Sequence, residues 1–130
     1  MVAALECYLD VTASRRVRAV WDALEGAGVP SLRQLSDRRH RPHLSFAVAE
    51  SLDPSAVAEA LDGSAVAPPI ELELQYVGAF VGRVLWLGPA PSVELVAHHR
   101  AIYERLSAGG VAVSELYRPG SWVPHCTVSM

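Results

Sequence analysis

The chain has 130 residues, of which 51% are hydrophobic and 19% are charged, and its formal net charge is −3. This length and balance predict a single globular domain over residues 1–130 and exclude a disordered chain. The slight negative charge excludes a strong non-specific nucleic-acid binder, and no apolar run is long enough to span a membrane. Cys7 and Cys126 are too few for a disulfide scaffold, so a reducing, cytoplasmic setting is expected.

The first half of the chain predicts strands and helices in alternation. Residues 2–11 favour a strand, and Thr12 or Ser14 is suited to cap the helix that follows it. After an arginine-rich connection, residues 42–50 form a second strand, and residues 53–61 form a short second helix with an aspartate cap. The buried face of the first helix is predicted to consist of Val17, Val20, Trp21 and Leu24.

The second half begins with the clearest alternation of apolar and polar residues. Residues 70–76 alternate and predict a half-buried strand, and a partner strand follows a bend that Gly78 and Gly82 bracket. A third helix begins at Pro91, and residues 122–130 form the last strand. A strand–strand hairpin among short helices predicts an α+β domain with antiparallel sheet. The buried face of the third helix is predicted to consist of Leu95, His99, Ile102, Tyr103 and Leu106.

One short pattern occurs twice, as PHLSF at residues 42–46 and as PHCTV at residues 124–128. Both copies lie on predicted strands, so the repeat indicates two similar halves that face each other. Side chains alternate along a strand, so each histidine shares a face with the hydroxyl residue two positions later, and the other residues point into the core. The polar face consists of His43 and Ser45 in the first copy and of His125 and Thr127 in the second.

These four side chains have the chemistry that cleavage of a phosphodiester requires. Histidine has an unperturbed pKa of about 6.5, so one neutral imidazole can accept a proton while a protonated one donates to the leaving oxygen. The hydroxyls can donate hydrogen bonds to the non-bridging oxygens, where charge develops in the transition state. The alternative is a structural role, in which both histidines are hydrogen-bonded parts of the packing.

On these motifs the chain resembles the two-histidine phosphoesterases, also called 2′–5′ RNA ligase-like proteins or RNA 2′,3′-cyclic phosphodiesterases. The resemblance spans nearly the whole chain and implies a bilobal α+β fold of antiparallel sheets with flanking helices. It implies that His43 is the general acid and His125 the general base, or the reverse, and that Ser45 and Thr127 hold the phosphate. The implied enzyme is a hydrolase that opens 2′,3′-cyclic phosphates on RNA ends or small cyclic nucleotides, with no cofactor. The rival is a non-catalytic module that binds nucleotides or RNA ends through a degenerate site.

The same resemblance implies further structure after the second motif. Members of the family continue with a helix and strands that complete the second lobe, whereas this chain stops at Met130. The second lobe is therefore expected to be incomplete, and residues 128–130 are expected to lack neighbours. An exposed sheet edge pairs readily with another chain, so we expect a tendency to form a homodimer through the C-terminal strand.

Other side chains are weaker candidates for contacts with the substrate. The arginines before the first motif can attract a phosphate chain, although such runs are more often solvated loops. Aromatic side chains can stack on unpaired bases, although core packing is their commoner role. Two closely spaced histidine pairs offer no third ligand, so no metal site is predicted. The candidate contacts are Arg41, Tyr76, Phe80, Tyr117 and Arg118, and the histidine pairs are His40 with His43 and His98 with His99.

Overall fold

The computed structural model describes residues 2–34, 39–62 and 69–130, and within them the helices and strands follow each other in the predicted order. Arg38, in the arginine-rich connection, and Gly63, after the second helix, lie outside these ranges. Short helices and antiparallel strands confirm the α+β class. In chain order the elements are β1 (Ala3–Tyr8), α1 (Val11–Gly26), β2 (His43–Ala49), α2 (Pro54–Ala60), β3 (Leu74–Phe80), β4 (Val84–Pro89), α3 (Val93–Ala108), a short 3-10 helix (Glu115–Tyr117) and β5 (Cys126–Ser129).

The strands of the described chain form two small antiparallel sheets. β1 pairs with β2, and β4 lies between β3 and β5 in the second sheet. β3 and β4 form the predicted hairpin, whose turn places Gly82 at a φ of 77°, a conformation that glycine adopts without steric cost. β5 runs antiparallel to β4, with Trp86 opposite Thr127 and Leu87 opposite Cys126. This ladder fixes the position of the second motif.

The chain folds into two compact units, each assembled from separate segments. The first unit contains α2 and α3, and the second contains α1 and the three-stranded sheet. β2 contributes His43 and Leu44 to the second unit and its later residues to the first. The segments are Met1–Glu6, Ser45–Glu73 and Pro91–Val123 for the first unit, and Cys7–Leu44, Leu74–Ala90 and Pro124–Met130 for the second.

The first unit is packed around the buried ring of Phe46. α3 begins at its cap residue Ser92, whose hydroxyl accepts a hydrogen bond from the Leu95 N–H at 3.1 Å. Leu95, His99 and Leu106 are buried along one side of α3, which confirms the centre of its predicted apolar face. α2 packs against this helix in the same unit.

In the second unit α1 packs against β5. Val17 and Trp21 are 3% and 1% exposed, so the predicted apolar face of the helix is confirmed at its centre. Cys126 and Val128 of β5 are buried as well. A valine side chain such as that of Val17 or Val128 contributes about 2 kcal/mol of hydrophobic stabilisation when it is fully buried. The helix therefore anchors the strand that carries the second motif.

The cap of α1 differs from its prediction. Asp10 caps the helix, and its carboxylate accepts a hydrogen bond from the Ala13 N–H at 2.7 Å, so the choice of Thr12 or Ser14 is wrong. The Ser14 hydroxyl instead donates to the Leu9 carbonyl at 3.1 Å. A carboxylate at a helix N-terminus also interacts favourably with the helix dipole, which favours aspartate over a hydroxyl residue.

β3 differs from its prediction at two places. It begins at Leu74 rather than at residue 70, because its partner strand ends at Pro89, which lies opposite Leu74 and has no N–H for the ladder. Gly78 lies inside the strand rather than at a bend. A Cβ atom at this position would overlap the indole ring of Trp86, so glycine allows the ring to approach the backbone.

β5 begins at Cys126 rather than at residue 122. Pro124 interrupts the segment before it, because proline has no N–H to donate to a ladder. His125 therefore lies immediately before the strand and not within it.

β5 is an edge strand of its sheet in the described part of the chain, but its end is covered. The Val128 carbonyl accepts a hydrogen bond from the Leu32 N–H at 3.1 Å, and the Ser129 hydroxyl donates to the Pro30 carbonyl. The expectation that residues 128–130 lack neighbours is therefore wrong at its first two positions. A homodimer through this strand stays a prediction.

Candidate functional site

The two copies of the repeated motif are alike in the exposure of their side chains. In each copy the histidine and the hydroxyl residue are half-buried, and the other two residues after the proline are buried. This pattern confirms the predicted alternation of polar and core positions. The half-buried residues are His43, Ser45, His125 and Thr127, and the buried residues are Leu44, Phe46, Cys126 and Val128.

The two histidines lie in the same compact unit, and Cys126 links their motifs. The Cys126 thiol is completely buried and is hydrogen-bonded to the backbone of His43. Burial raises the pKa of this thiol to about 11, and the backbone hydrogen bond opposes the shift only in part. The thiol is therefore protonated at neutral pH, and it packs the second motif against the backbone of His43 rather than serving as a nucleophile.

A short hydrogen bond orients the imidazole of His43. Its Nδ1 lies 2.6 Å from the carbonyl oxygen of Arg41. A carbonyl oxygen can only accept, so Nδ1 carries a proton and Nε2 holds the lone pair when the ring is neutral. Nε2 is therefore the nitrogen at which His43 can exchange a proton with a bound molecule.

Aromatic rings of the three-stranded sheet pack against His125. The Phe80 ring meets it edge-on, with centroids 4.9 Å apart at 85°, and the Trp86 ring lies 5.8 Å away. Phe80 and Trp86 also contact each other at 5.3 Å. Aromatic pairs at such distances contribute about 0.5–1.5 kcal/mol beyond the burial of their area. The imidazole thus has an orientation that its neighbours determine.

In the first unit, Ser45 is supported through its backbone. The Trp122 indole N–H donates a hydrogen bond to the Ser45 carbonyl at 3.0 Å. The indole in turn stacks on His99, and Phe46 packs edge-on against both rings. This cluster holds the strand at the position where the first motif presents its hydroxyl.

Three of the weaker candidates lie in the second unit. The Arg41 guanidinium lies 4.0 Å from the ring centroid of Tyr8. Phe80 is engaged in packing against His125, whereas the Tyr76 side chain is 48% exposed. The structure thus places Phe80 beside a motif histidine, while the Tyr76 ring packs edge-on against Trp86 and stays about half exposed.

The other two weaker candidates lie in the first unit. Tyr117 is half-buried, and burial raises the pKa of its phenol. The exposed Arg118 donates a hydrogen bond from Nε to the Ser121 hydroxyl at 3.2 Å. Substrate contacts by Tyr117 and Arg118 stay predictions.

The histidine pair on α3 takes part in packing. His98 and His99 both meet the Phe46 ring, with centroids 5.6 Å and 5.9 Å away. Among the described residues, no three histidine, cysteine, aspartate or glutamate side chains come together in a group that could hold a metal ion.

Sequence reasoning missed two tryptophans that contact the motifs. Trp86 lies opposite Gly78 in the hairpin, and a glycine inside a strand is a signal that another group approaches the backbone closely. Gly78 therefore indicates that a side chain packs closely against the strand, rather than a bend in the chain. Trp122 contacts Ser45 from a segment far away in the chain, and no local sequence pattern predicts this contact.

The sequence model of the 2′-5′ RNA ligase superfamily matches residues 9–130. The chain therefore belongs to the 2′-5′ RNA ligase superfamily, as its resemblance to the two-histidine phosphoesterases predicts. The match includes both motifs and every element from α1 to β5. No curated protein and no solved structure matches the chain significantly. Among the described helices, none combines the length and the apolar character that crossing a membrane requires.

Proposed function

We propose that this member of the superfamily is a metal-independent phosphodiesterase that opens 2′,3′-cyclic phosphates on RNA ends or small cyclic nucleotides. The observation that carries the proposal is the hydrogen bond between the Cys126 thiol and the His43 backbone, which joins the two histidine-bearing segments of the motifs within the second unit. Two imidazoles so linked supply both partners of acid–base catalysis. Cys7 and Cys126 are free thiols, which fits a reducing compartment, so the proposed location is the cytoplasm.

The proposed reaction is hydrolysis of one of the two ring P–O bonds. A neutral imidazole accepts a proton from water while the water oxygen bonds to phosphorus, and a protonated imidazole donates to the ribose oxygen that leaves. One P–O bond forms and one breaks, and the products are a phosphate monoester and a ribose hydroxyl. By analogy with the family, we assign His125 as the base and His43 as the acid. The hydrogen bond of His43 to the Arg41 carbonyl supports Nε2 as the atom that donates.

Ser45 and Thr127 are proposed to bind the non-bridging oxygens of the phosphate. Each hydroxyl residue follows its histidine by two positions, and all four side chains are half-buried. Charge increases on these oxygens in the transition state, and loss of one such donor typically costs about 10²–10³-fold in kcat. The exposed ring of Tyr76 is the proposed aromatic contact for a base.

The test measures turnover of 2′,3′-cyclic mononucleotides and of short RNAs that end in a 2′,3′-cyclic phosphate, with and without a chelator. We expect the chelator to have no effect, and His43→Ala and His125→Ala each to reduce kcat by about 10²–10⁴-fold. His98→Phe is the matched control, because this histidine belongs to neither motif and an aromatic replacement keeps a ring against Phe46.

Two results would count against this proposal. Binding without turnover by the unmutated chain would support the rival, a non-catalytic module for nucleotides or RNA ends. Turnover that survives in both motif-histidine variants would contradict the acid–base mechanism.

A further inference from the structure

A groove lined by arginines lies on the second unit. Its volume is about 450 Å³. Its walls are formed by residues of α1, by Leu9 just before this helix and by Arg41 before β2. Three arginines line it, Arg15 and Arg18 on α1 and Arg41 before β2. No step of the proposed hydrolysis uses the first two of these arginines.

The groove has an excess of positive charge. Among the described residues that line it, Asp22 has the only carboxylate, and Arg33 already balances this group with its Nε 2.7 Å from Oδ1. Arg15 and Arg18 are three positions apart on α1 and therefore share a face, where like charges repel each other. A bound anion would relieve this repulsion.

The third arginine is held in a defined orientation. The Arg41 guanidinium lies 4.0 Å from the ring centroid of Tyr8, and this cation–π contact restricts its rotamers. A planar guanidinium that is already oriented loses less entropy when it binds an oxyanion. Guanidinium groups bind phosphate oxygens through two parallel N–H donors. Phosphate is therefore the anion whose chemistry fits the groove best.

Arg41 also connects the groove to the first motif. This residue lines the groove, and its carbonyl accepts the hydrogen bond from Nδ1 of His43. Two residues of extended chain span at most about 7 Å. A nucleic-acid strand whose terminal phosphate lies at His43 thus has a preceding phosphate within reach of the groove.

We propose that this groove binds a backbone phosphate of a single-stranded RNA, upstream of its cyclic end. The inference rests on the proposed phosphodiesterase function for the position of the RNA end, but binding of the strand does not require turnover. It makes an oligoribonucleotide, rather than a mononucleotide, the preferred substrate of the chain.

The test compares the double variant Arg15→Gln/Arg18→Gln with Arg16→Gln. Arg16 is the matched control, because its exposed side chain lies on the same helix and does not line the groove. Binding is measured by the fluorescence anisotropy of a short 5′-labelled oligoribonucleotide that ends in a 2′-phosphate. Turnover is measured on the 2′,3′-cyclic phosphates of the same oligonucleotide and of a mononucleotide.

We expect the double variant to bind the oligonucleotide about tenfold more weakly or worse, since two charged hydrogen-bond donors are lost. The slope of log affinity against log salt concentration should decrease by about 1. The ratio of kcat/KM for the oligonucleotide to kcat/KM for the mononucleotide should fall about tenfold as well. Arg16→Gln should keep the affinity, the slope and the ratio of the unmutated chain.

The outcomes separate this inference from the proposed hydrolysis. Equal affinities of the double variant and Arg16→Gln for the oligonucleotide would overturn the proposal that the groove binds RNA. Failure of the unmutated chain to bind the oligonucleotide would overturn it as well. If the unmutated chain binds RNA through the two arginines but does not open the cyclic end, the groove stands and the phosphodiesterase proposal fails. If the double variant hydrolyses both substrates with the same kcat/KM ratio as the unmutated chain, the phosphodiesterase proposal stands and the groove proposal is rejected.

Discussion

The imidazole of His99 stacks on the indole of Trp122, with ring centroids 3.9 Å apart and planes only 4° from parallel. His99 is 1% exposed, and the Phe46 ring packs edge-on against both members of the stack. The Trp122 indole N–H donates its hydrogen bond to the Ser45 carbonyl. A buried histidine of α3 thus supports, through one tryptophan, the backbone of a motif residue.

Replacement of Trp122 by Phe removes the donor to the Ser45 carbonyl and keeps an aromatic ring. The lost hydrogen bond should lower the free energy of unfolding by about 1 kcal/mol. We also expect kcat/KM for a 2′,3′-cyclic substrate to fall, because Ser45 loses a support. In a double-mutant cycle, the loss from Trp122→Phe should be smaller when Ser45→Ala is already present. Equal losses in both backgrounds would mean that Trp122 contributes to stability alone.

The proton affinity of His99 predicts a loss of stability in acid. Burial lowers the pKa of His99, the nearby charges of Arg100 and His98 lower it further, and backbone hydrogen bonds of Phe46 and Tyr117 oppose the shift. The folded chain therefore keeps this ring neutral, while the unfolded chain binds a proton below about pH 6.5. The stability that the neutral ring provides is present above that pH and is lost as the pH falls.

Urea denaturation of three chains tests this acid dependence. Between about pH 7.5 and pH 5, the free energy of unfolding should fall more for the unmutated chain than for His99→Phe, whose ring cannot titrate. His98→Phe is the control, because His98 is the half-buried neighbour on the same helix and its charge is only a lesser cause of the lowered pKa of His99. Its loss should therefore reduce the acid dependence less than His99→Phe does. Parallel pH curves for the unmutated chain and His99→Phe would contradict the prediction.

The faces of the strands and helices could be predicted because they depend on local periodicity. Alternation along a strand assigns His43 to an accessible face and Leu44 to the core without any knowledge of tertiary contacts, and the structure agrees. Helical spacing assigns Val17 and Trp21 to the buried side of α1 in the same way. The candidate site was visible in the sequence for this reason, since its four side chains lie in two local patterns.

The partners of these side chains could not be predicted, because they come from distant parts of the chain. Trp86 reaches His125 only after β4 pairs with β5, and Trp122 reaches Ser45 only after the first unit has packed. The first residue of a helix could not be predicted either where several neighbouring residues were suitable caps. Capping residues differ by at most about 1 kcal/mol among themselves, so the choice of Asp10 over nearby hydroxyls depends on the packed structure.

Substitution of Gly78 by Ala tests whether packing around Trp86 supports His125. A Cβ at Gly78 would overlap the indole, so the ring must move, and overpacking of this kind costs about 1–3 kcal/mol of unfolding free energy. Because Trp86 packs against His125, kcat/KM for a cyclic substrate should fall about tenfold or more. Gly26→Ala is the control, since a Cβ there meets nothing within 4 Å at the end of α1 and should leave activity unchanged. Full activity in folded Gly78→Ala, with the stability loss confirmed by urea denaturation, would show that His125 does not depend on this packing.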